Sequence, residues 1–257
     1  MKLAVQMLIF GLLFTIIFFT IRYFDIIPMH VLLVETNGIG LLYSTIGLIF
    51  GVISGFVIQT QWDNWSKLSI SVHGEIKSLR QLLLFGTYIS PEFDKTIKEH
   101  AETYVQKIIV NWHNNDKEKS SAEVIAAIQK LQETIYLLWD EKPVITESAN
   151  QILFRIIEYH DDVTHYSSRR LPVIVKILII FCMILVIVIP LFIGMRTLWL
   201  DYIITLSISL LAFLIYAVIN DLDNPLKQGN WHITNNDYKI LLEELRNNKT
   251  QSYMESD

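Results

Sequence analysis

IGLLYSTIGLIFGVISGFVI, Ile39 to Ile58, holds no Lys, Arg, Asp or Glu. An apolar helix of about 20 residues matches the roughly 30 Å hydrocarbon core of a bilayer. Three further stretches share its length and its lack of charge: Leu3 to Ile21, Ile177 to Met195 and Tyr202 to Asn220. All 21 basic and 26 acidic residues lie outside these four. The chain of 257 residues is 52% hydrophobic and only 18% charged, too apolar for an ordinary soluble domain. The remainder is close to the roughly 25% charge of one. No strand-like alternation of any length occurs. The fold class is an all-α membrane protein with four transmembrane helices and a cytoplasmic helical domain inserted between the second and third.

The expected division is 1–59 for the first two membrane helices, 60–171 for the inserted domain, 172–220 for the other two membrane helices, and 221–257 for a cytoplasmic tail. Basic loops stay on the cytoplasmic side. With the N-terminus inside, thirteen basic residues between Lys67 and Arg170, and four in the tail, fall on the inner side. The outer loops carry only Arg22 and Arg196, and Lys176 snorkels inward from the third span. Both termini are therefore expected in the cytoplasm. The first stretch is too long for the apolar core of a secretory signal and is expected to be a retained helix. The single cysteine, Cys182, lies within the third span and excludes an intrachain disulfide framework.

Within the second stretch Gly47, Gly51 and Gly55 recur every four residues, a spacing that permits close backbone approach. Two readings are open: a packing seam within one subunit, or close packing against copies of the same helix around an axis. Beside the glycines, Phe50, Ile53, Ser54 and Val57 form a stripe expected to face that axis. Leu68, Val72, Ile76, Leu79 and Leu83 keep a helical period beyond the span, so the helix is expected to continue past the bilayer. Pro28 and Asn37-Gly38 mark turns before it. Ser90-Pro91-Glu92 caps a second helix running to Trp112, Ser120-Ser121-Ala122-Glu123 opens a third, and a fourth runs from about Thr146 to Tyr166. Trp62, Trp65, Trp199 and Trp231 fall near the expected bilayer boundaries.

Catalytic signatures such as a Walker loop, G-x-S-x-G or H-E-x-x-H are absent from the sequence. No ionisable residue lies inside the four uncharged stretches, which disfavours a proton relay or coupled transporter. Glu158, His160, Asp161, Asp162 and His165 have ligand-capable side chains, most simply as a polar helix end. Asp221, Asp223 and Asn224 follow the last span, a placement suited to a hard cation such as Ca²⁺. The competing reading is a helix-ending turn before Pro225. A net charge of −5 argues against a nucleic acid partner.

His73-Gly74-Glu75-Ile76-Lys77-Ser78-Leu79, Asn111-Trp112, Arg169-Arg170-Leu171-Pro172 and Asp223-Asn224-Pro225-Leu226-Lys227-Gln228-Gly229 carry a resemblance. With the order of helices, they resemble the bestrophin channels, and more specifically a bacterial family of unknown function described as bestrophin-like. The last segment is similar to that family's closing Asp-x-Pro-Phe-x-Gly element, with Leu226 in place of the aromatic and one extra residue before Gly229. In bestrophins the acidic calcium clasp follows the Asn-Pro turn, whereas Asp221 and Asp223 precede Pro225. The resemblance implies a homo-oligomer, a pentamer by analogy, whose second helices line an axial pore.

The expected function is therefore an oligomeric ion channel of the bacterial inner membrane, its partners being lipid, copies of itself and inorganic ions. Apolar constrictions gate by dewetting, so an uncharged pore helix is compatible with conduction. Bestrophin resemblance points to anions, while Glu75, expected at an inner vestibule, would favour cations. The alternative is a non-conducting scaffold whose helical domain recruits a partner. An intramembrane enzyme lacks any nucleophile and base pair.

Overall fold

The computed structural model describes residues 2–24, 36–112, 117–137, 143–192, 197–227 and 229–254. Among them are eight helices and no strand. They are α1 Lys2–Tyr23, α2 Thr36–Thr87, α3 Pro91–Asn111, α4 Lys117–Tyr136, α5 Pro143–Ser168, α6 Val173–Phe192, α7 Leu198–Leu222 and α8 Asn236–Met254. Four of these helices, α1, α2, α6 and α7, are long and apolar enough to cross a membrane.

α2 is continuous for 52 residues, about 78 Å at 1.5 Å per residue. Asn37 and Gly38 belong to its first turn rather than to a loop; Pro28 lies outside the described residues. Pro91 opens α3, and the Ser90 hydroxyl accepts the Phe93 N–H at 3.2 Å. That bond satisfies one of the donors a helix start leaves over. α4 begins at Lys117, three residues before the expected capping serines. Pro143 starts α5, three residues before the expected Thr146, since a proline in the first turn forfeits no helical hydrogen bond. α7 begins at Leu198, so Asp201 lies inside a candidate span.

The chain divides into two compact units. In the first, Met1–Asn64 with Arg169–His232, α7 packs against both α1 and α6. One core gathers Phe50, Ile179, Cys182, Val186, Ala212 and Ile219, and a second holds Phe14, Phe18 and Leu191. In the second unit, Trp65–Ser168 with Ile233–Asp257, α3 packs against α4 and α8, and α4 against α5. Leu68, Val72, Leu79, Ile97, Leu131 and Ile156 are fully or almost fully buried, each contributing about 1.5–3 kcal/mol of transfer free energy. The segment read from sequence as a separate tail thus supplies a helix to the second unit. Tyr238, Leu241 and Leu245 on α8 are buried at positions three and four apart.

Candidate functional site

The bilayer-length half of α2 has a covered face and an open one. Phe50 and Ser54 are buried at 5% and 1% exposure, and Ile53 and Val57 pack half-buried against the core built from α6 and α7. A side chain covered by its own chain is shielded from any axis between copies. The stripe expected to line a pore is therefore the face that holds α2 to its own subunit. The open face carries Leu48 at 68%, Val52 at 50% and Phe56 at 73% exposure, aligned at intervals of four. Gly47, Gly51 and Gly55 flank it, and a Cβ at any of them would meet nothing within 4 Å. The glycines thus border space left open by the described residues. Because every face of this helix is apolar, periodicity alone could not tell its faces apart.

Further along α2, Glu75 has no exposed surface. Its Oε1 accepts the Tyr104 hydroxyl, and its Oε2 accepts the Tyr238 hydroxyl at 2.7 Å. The His160 Nδ1 stands 3.5 Å from Oε1, an electrostatic contact too long for a strong hydrogen bond. Burial, and then the Glu75 charge, push both phenols well above the ordinary tyrosine range. At His160 burial alone would lower the imidazole's pKa, but the facing Glu75 and nearby Asp161 lift it above the ordinary value. Gly74 admits the Tyr159 ring, which a Cβ would meet at 2.6 Å. Glu75 is thus the polar centre of a helical core joining α2, α3, α5 and α8, not a vestibule charge. Nothing in the sequence marks Tyr104 and Tyr238 as partners of Glu75, since a buried tyrosine pairs an apolar body with one polar handle.

After α7 the two predicted carboxylates are engaged by donors of the protein. Asp223, buried at 5%, accepts the Leu171 N–H at 2.6 Å and the Lys176 ammonium at 2.5 Å. The Asp221 Oδ2 accepts the N–H groups of Asn230 at 2.7 Å and Trp231 at 3.2 Å, and a Cβ at Gly229 would overlap this carboxylate. Asn224 accepts a hydrogen bond from Arg170 at 2.9 Å. Charge-assisted bonds of this kind fix a turn, and a Ca²⁺ ion at Asp223 would have to displace Lys176. These contacts form a latch that ties the end of α7 to the start of α6. Among the described residues no three His, Cys, Asp or Glu side chains converge as a metal site; the Asp161 and His165 cluster is included in that statement.

At the other end of α7, Asp201 pairs with Arg22 of α1 at 2.6 Å, with side chains 1% and 10% exposed. Arg22 also lies over the Phe18 ring, 5.4 Å from its centroid. Thr15 and Tyr202 share a hydrogen bond of 2.9 Å nearby. Sequence reading placed Arg22 in an outer loop and all charge outside the spans. The structure instead extends both helices to take in a buried ion pair.

Solved structures share this fold. A point variant of a bacterial bestrophin homolog from Klebsiella pneumoniae aligns with a TM-score of 0.74 at 11% identity, covering 95% of this chain and 97% of that one. A second variant of that homolog gives 0.74 and 11%, covering 94% and 96%. A structure described as a membrane protein gives 0.75 at 10%, covering 95% and 97%. No match is found to a curated protein. The sequence model of the Bestrophin-like domain matches residues 11–233, most of the chain. With that match joined to the four apolar helices and their fold, the chain belongs to the Bestrophin-like family.

Proposed function

We propose that this chain is a homo-oligomeric ion channel of the bacterial inner membrane, in which copies of α2 surround an axial pore. The observation that carries the reading is the open face of α2. Leu48, Val52 and Phe56 stand exposed in a row, beside three glycines at which a Cβ would meet nothing within 4 Å among the described residues. Backbones approach closely where side chains are absent, so packing along the glycine flank would turn the row toward a common axis. A ring of such apolar side chains is a constriction that gates by dewetting. Family membership and the fold shared with a bestrophin homolog support this reading. By the same analogy the oligomer is a pentamer, the inserted domain and both termini are cytoplasmic, and anions are the favoured ions. Glu75, buried in the helical core, offers no charge to attract cations to a vestibule.

Reconstitution of the purified oligomer in planar bilayers tests the proposal, with reversal potentials in asymmetric salt deciding the ion. Current through the wild type that changes with Phe56→Ala supports it. A well-folded oligomer silent in several salts and voltages, with no axial opening by electron microscopy, would replace it with the scaffold reading.

A further inference from the structure

α1 and α7 run antiparallel, as the pairings Phe10 with Phe213, Thr15 with Tyr202 and Arg22 with Asp201 require. Between the start of α1 and the end of α7 lies a cavity of about 720 Å³, within the roughly 300–1,000 Å³ of small-molecule sites. Its chemistry changes along its length. Leu3, Ile9, Phe10, Leu13 and Phe213 line one part, while Asn220, Asp221, Asn224, Lys227 and Asn230 line the other. Trp231 lies at the polar end and packs edge-on against Trp62, ring centroids 5.1 Å apart. Indoles of this kind sit at headgroup level.

The polar end is built and its charges are specific. Asp223 is spent on Lys176 and the Leu171 N–H. Asp221 uses Oδ2 for two backbone N–H groups, and a carboxylate so bound keeps acceptor capacity. The Lys227 ammonium has no carboxylate partner among the described residues. The lining therefore offers one cation, one anion with acceptor capacity and four side-chain amides, Gln6 among them, beside apolar residues of α1, a helix also exposed at Val5, Leu8 and Leu12.

We propose that this cavity holds one phospholipid bearing a zwitterionic ethanolamine headgroup. Its phosphate pairs with Lys227, its primary ammonium donates to Asp221 and the amide oxygens, and an acyl chain lies against Phe10, Leu13 and Phe213. A choline headgroup has no N–H to donate and an anionic glycerol headgroup has no cation for Asp221, so both fit less well. The inference needs the helices to lie in a bilayer but does not depend on conduction.

The test uses the full chain in nanodiscs containing equal parts of ethanolamine, choline and glycerol phospholipids. Native mass spectrometry after ejection from the disc reads the lipid that stays. Retention of one ethanolamine phospholipid per chain is expected. Lys227→Glu, at an exposed residue, should lower it roughly tenfold, the scale of one lost charge-assisted contact. Ala217→Trp, which fills the cavity, should abolish it. Gel filtration and thermal melting confirm that each variant is folded. Equal retention by wild type and both variants, no retained phospholipid, or preference for the glycerol headgroup would each overturn the assignment. So would a change of oligomer size in Ala217→Trp with lipid retention unaltered, since the cavity would then be filled by a second copy.

Discussion

Tyr238 donates its hydroxyl to Glu75 at 2.7 Å across 163 residues of sequence. That bond joins the last helix of the chain to the middle of α2, at a carboxylate with no exposed surface. Hydrogen bonds to a charged group contribute about 1.5–3 kcal/mol, and their loss in a core leaves the charge less well satisfied. Tyr238→Phe is therefore expected to destabilise the protein by about 2 kcal/mol and Tyr104→Phe by a similar amount. The double variant should be non-additive because both donors serve one acceptor. Thermal unfolding in detergent measures the effect, and melting temperatures unchanged in both single variants would contradict the role assigned to Glu75.

His160 faces the same carboxylate and its pKa is raised in the folded state. A group with a raised folded pKa contributes stability that is complete below its unfolded value, about 6.5 for histidine. That contribution is lost as pH rises through the folded pKa. Melting temperature should accordingly fall as pH is raised upward from about 6.5. In His160→Asn the same titration should be flatter.

Phe50 and Phe56 separate packing from permeation. Phe50→Ala opens a cavity in the core shared with Ile179 and Val186 and should cost about 3–5 kcal/mol. Phe56→Ala, at an exposed position, should leave the melting temperature of the chain nearly unchanged and raise leak current in bilayers. A current increase from Phe50→Ala but none from Phe56→Ala, at equal expression, would reverse the assignment of faces.

The glycines divide in the same way. Gly74→Ala puts a methyl group into the Tyr159 ring and should destabilise by about 1–3 kcal/mol, the cost of overpacking. Gly51→Leu adds a Cβ that meets nothing within 4 Å among the described residues. It should leave the fold intact and shift the oligomer toward smaller species on size-exclusion chromatography with light scattering. An oligomer indifferent to leucine at Gly51 and Gly55 would show that copies do not meet there.

Arg22 and Asp201 form the buried pair between α1 and α7. Arg22→Met strands a carboxylate that is 1% exposed, at a cost of about 3–5 kcal/mol. The double variant Arg22→Met with Asp201→Leu removes both charges and should recover most of that loss. Melting temperatures of the three proteins decide it; a double variant no better than Arg22→Met would argue against pairing.

Much of the fold was legible along the chain because bilayer-length apolar runs are local and the caps around them are short-range. Four uncharged stretches marked the four apolar helices, Ser90-Pro91 marked the start of α3, and the period of Leu68, Val72, Ile76 and Leu79 marked the continuation of α2. The faces of the second span were not legible. Phe50 and Phe56 are six residues apart in one apolar run, and only packing against Ile179, Val186 and Ala212 distinguishes the covered ring from the open one. Charged residues were misread for a related reason. Glu75, Asp201 and Asp223 look solvent-bound on hydropathy alone, yet each is buried where a distant donor meets it: Tyr104 and Tyr238, Arg22, and Lys176. Helix position and length follow from the run of residue types, because burying backbone polar groups in hydrocarbon demands helices of that length. Which side chains face one another depends on contacts across 29 to 179 residues, and those exist only once the helices have packed.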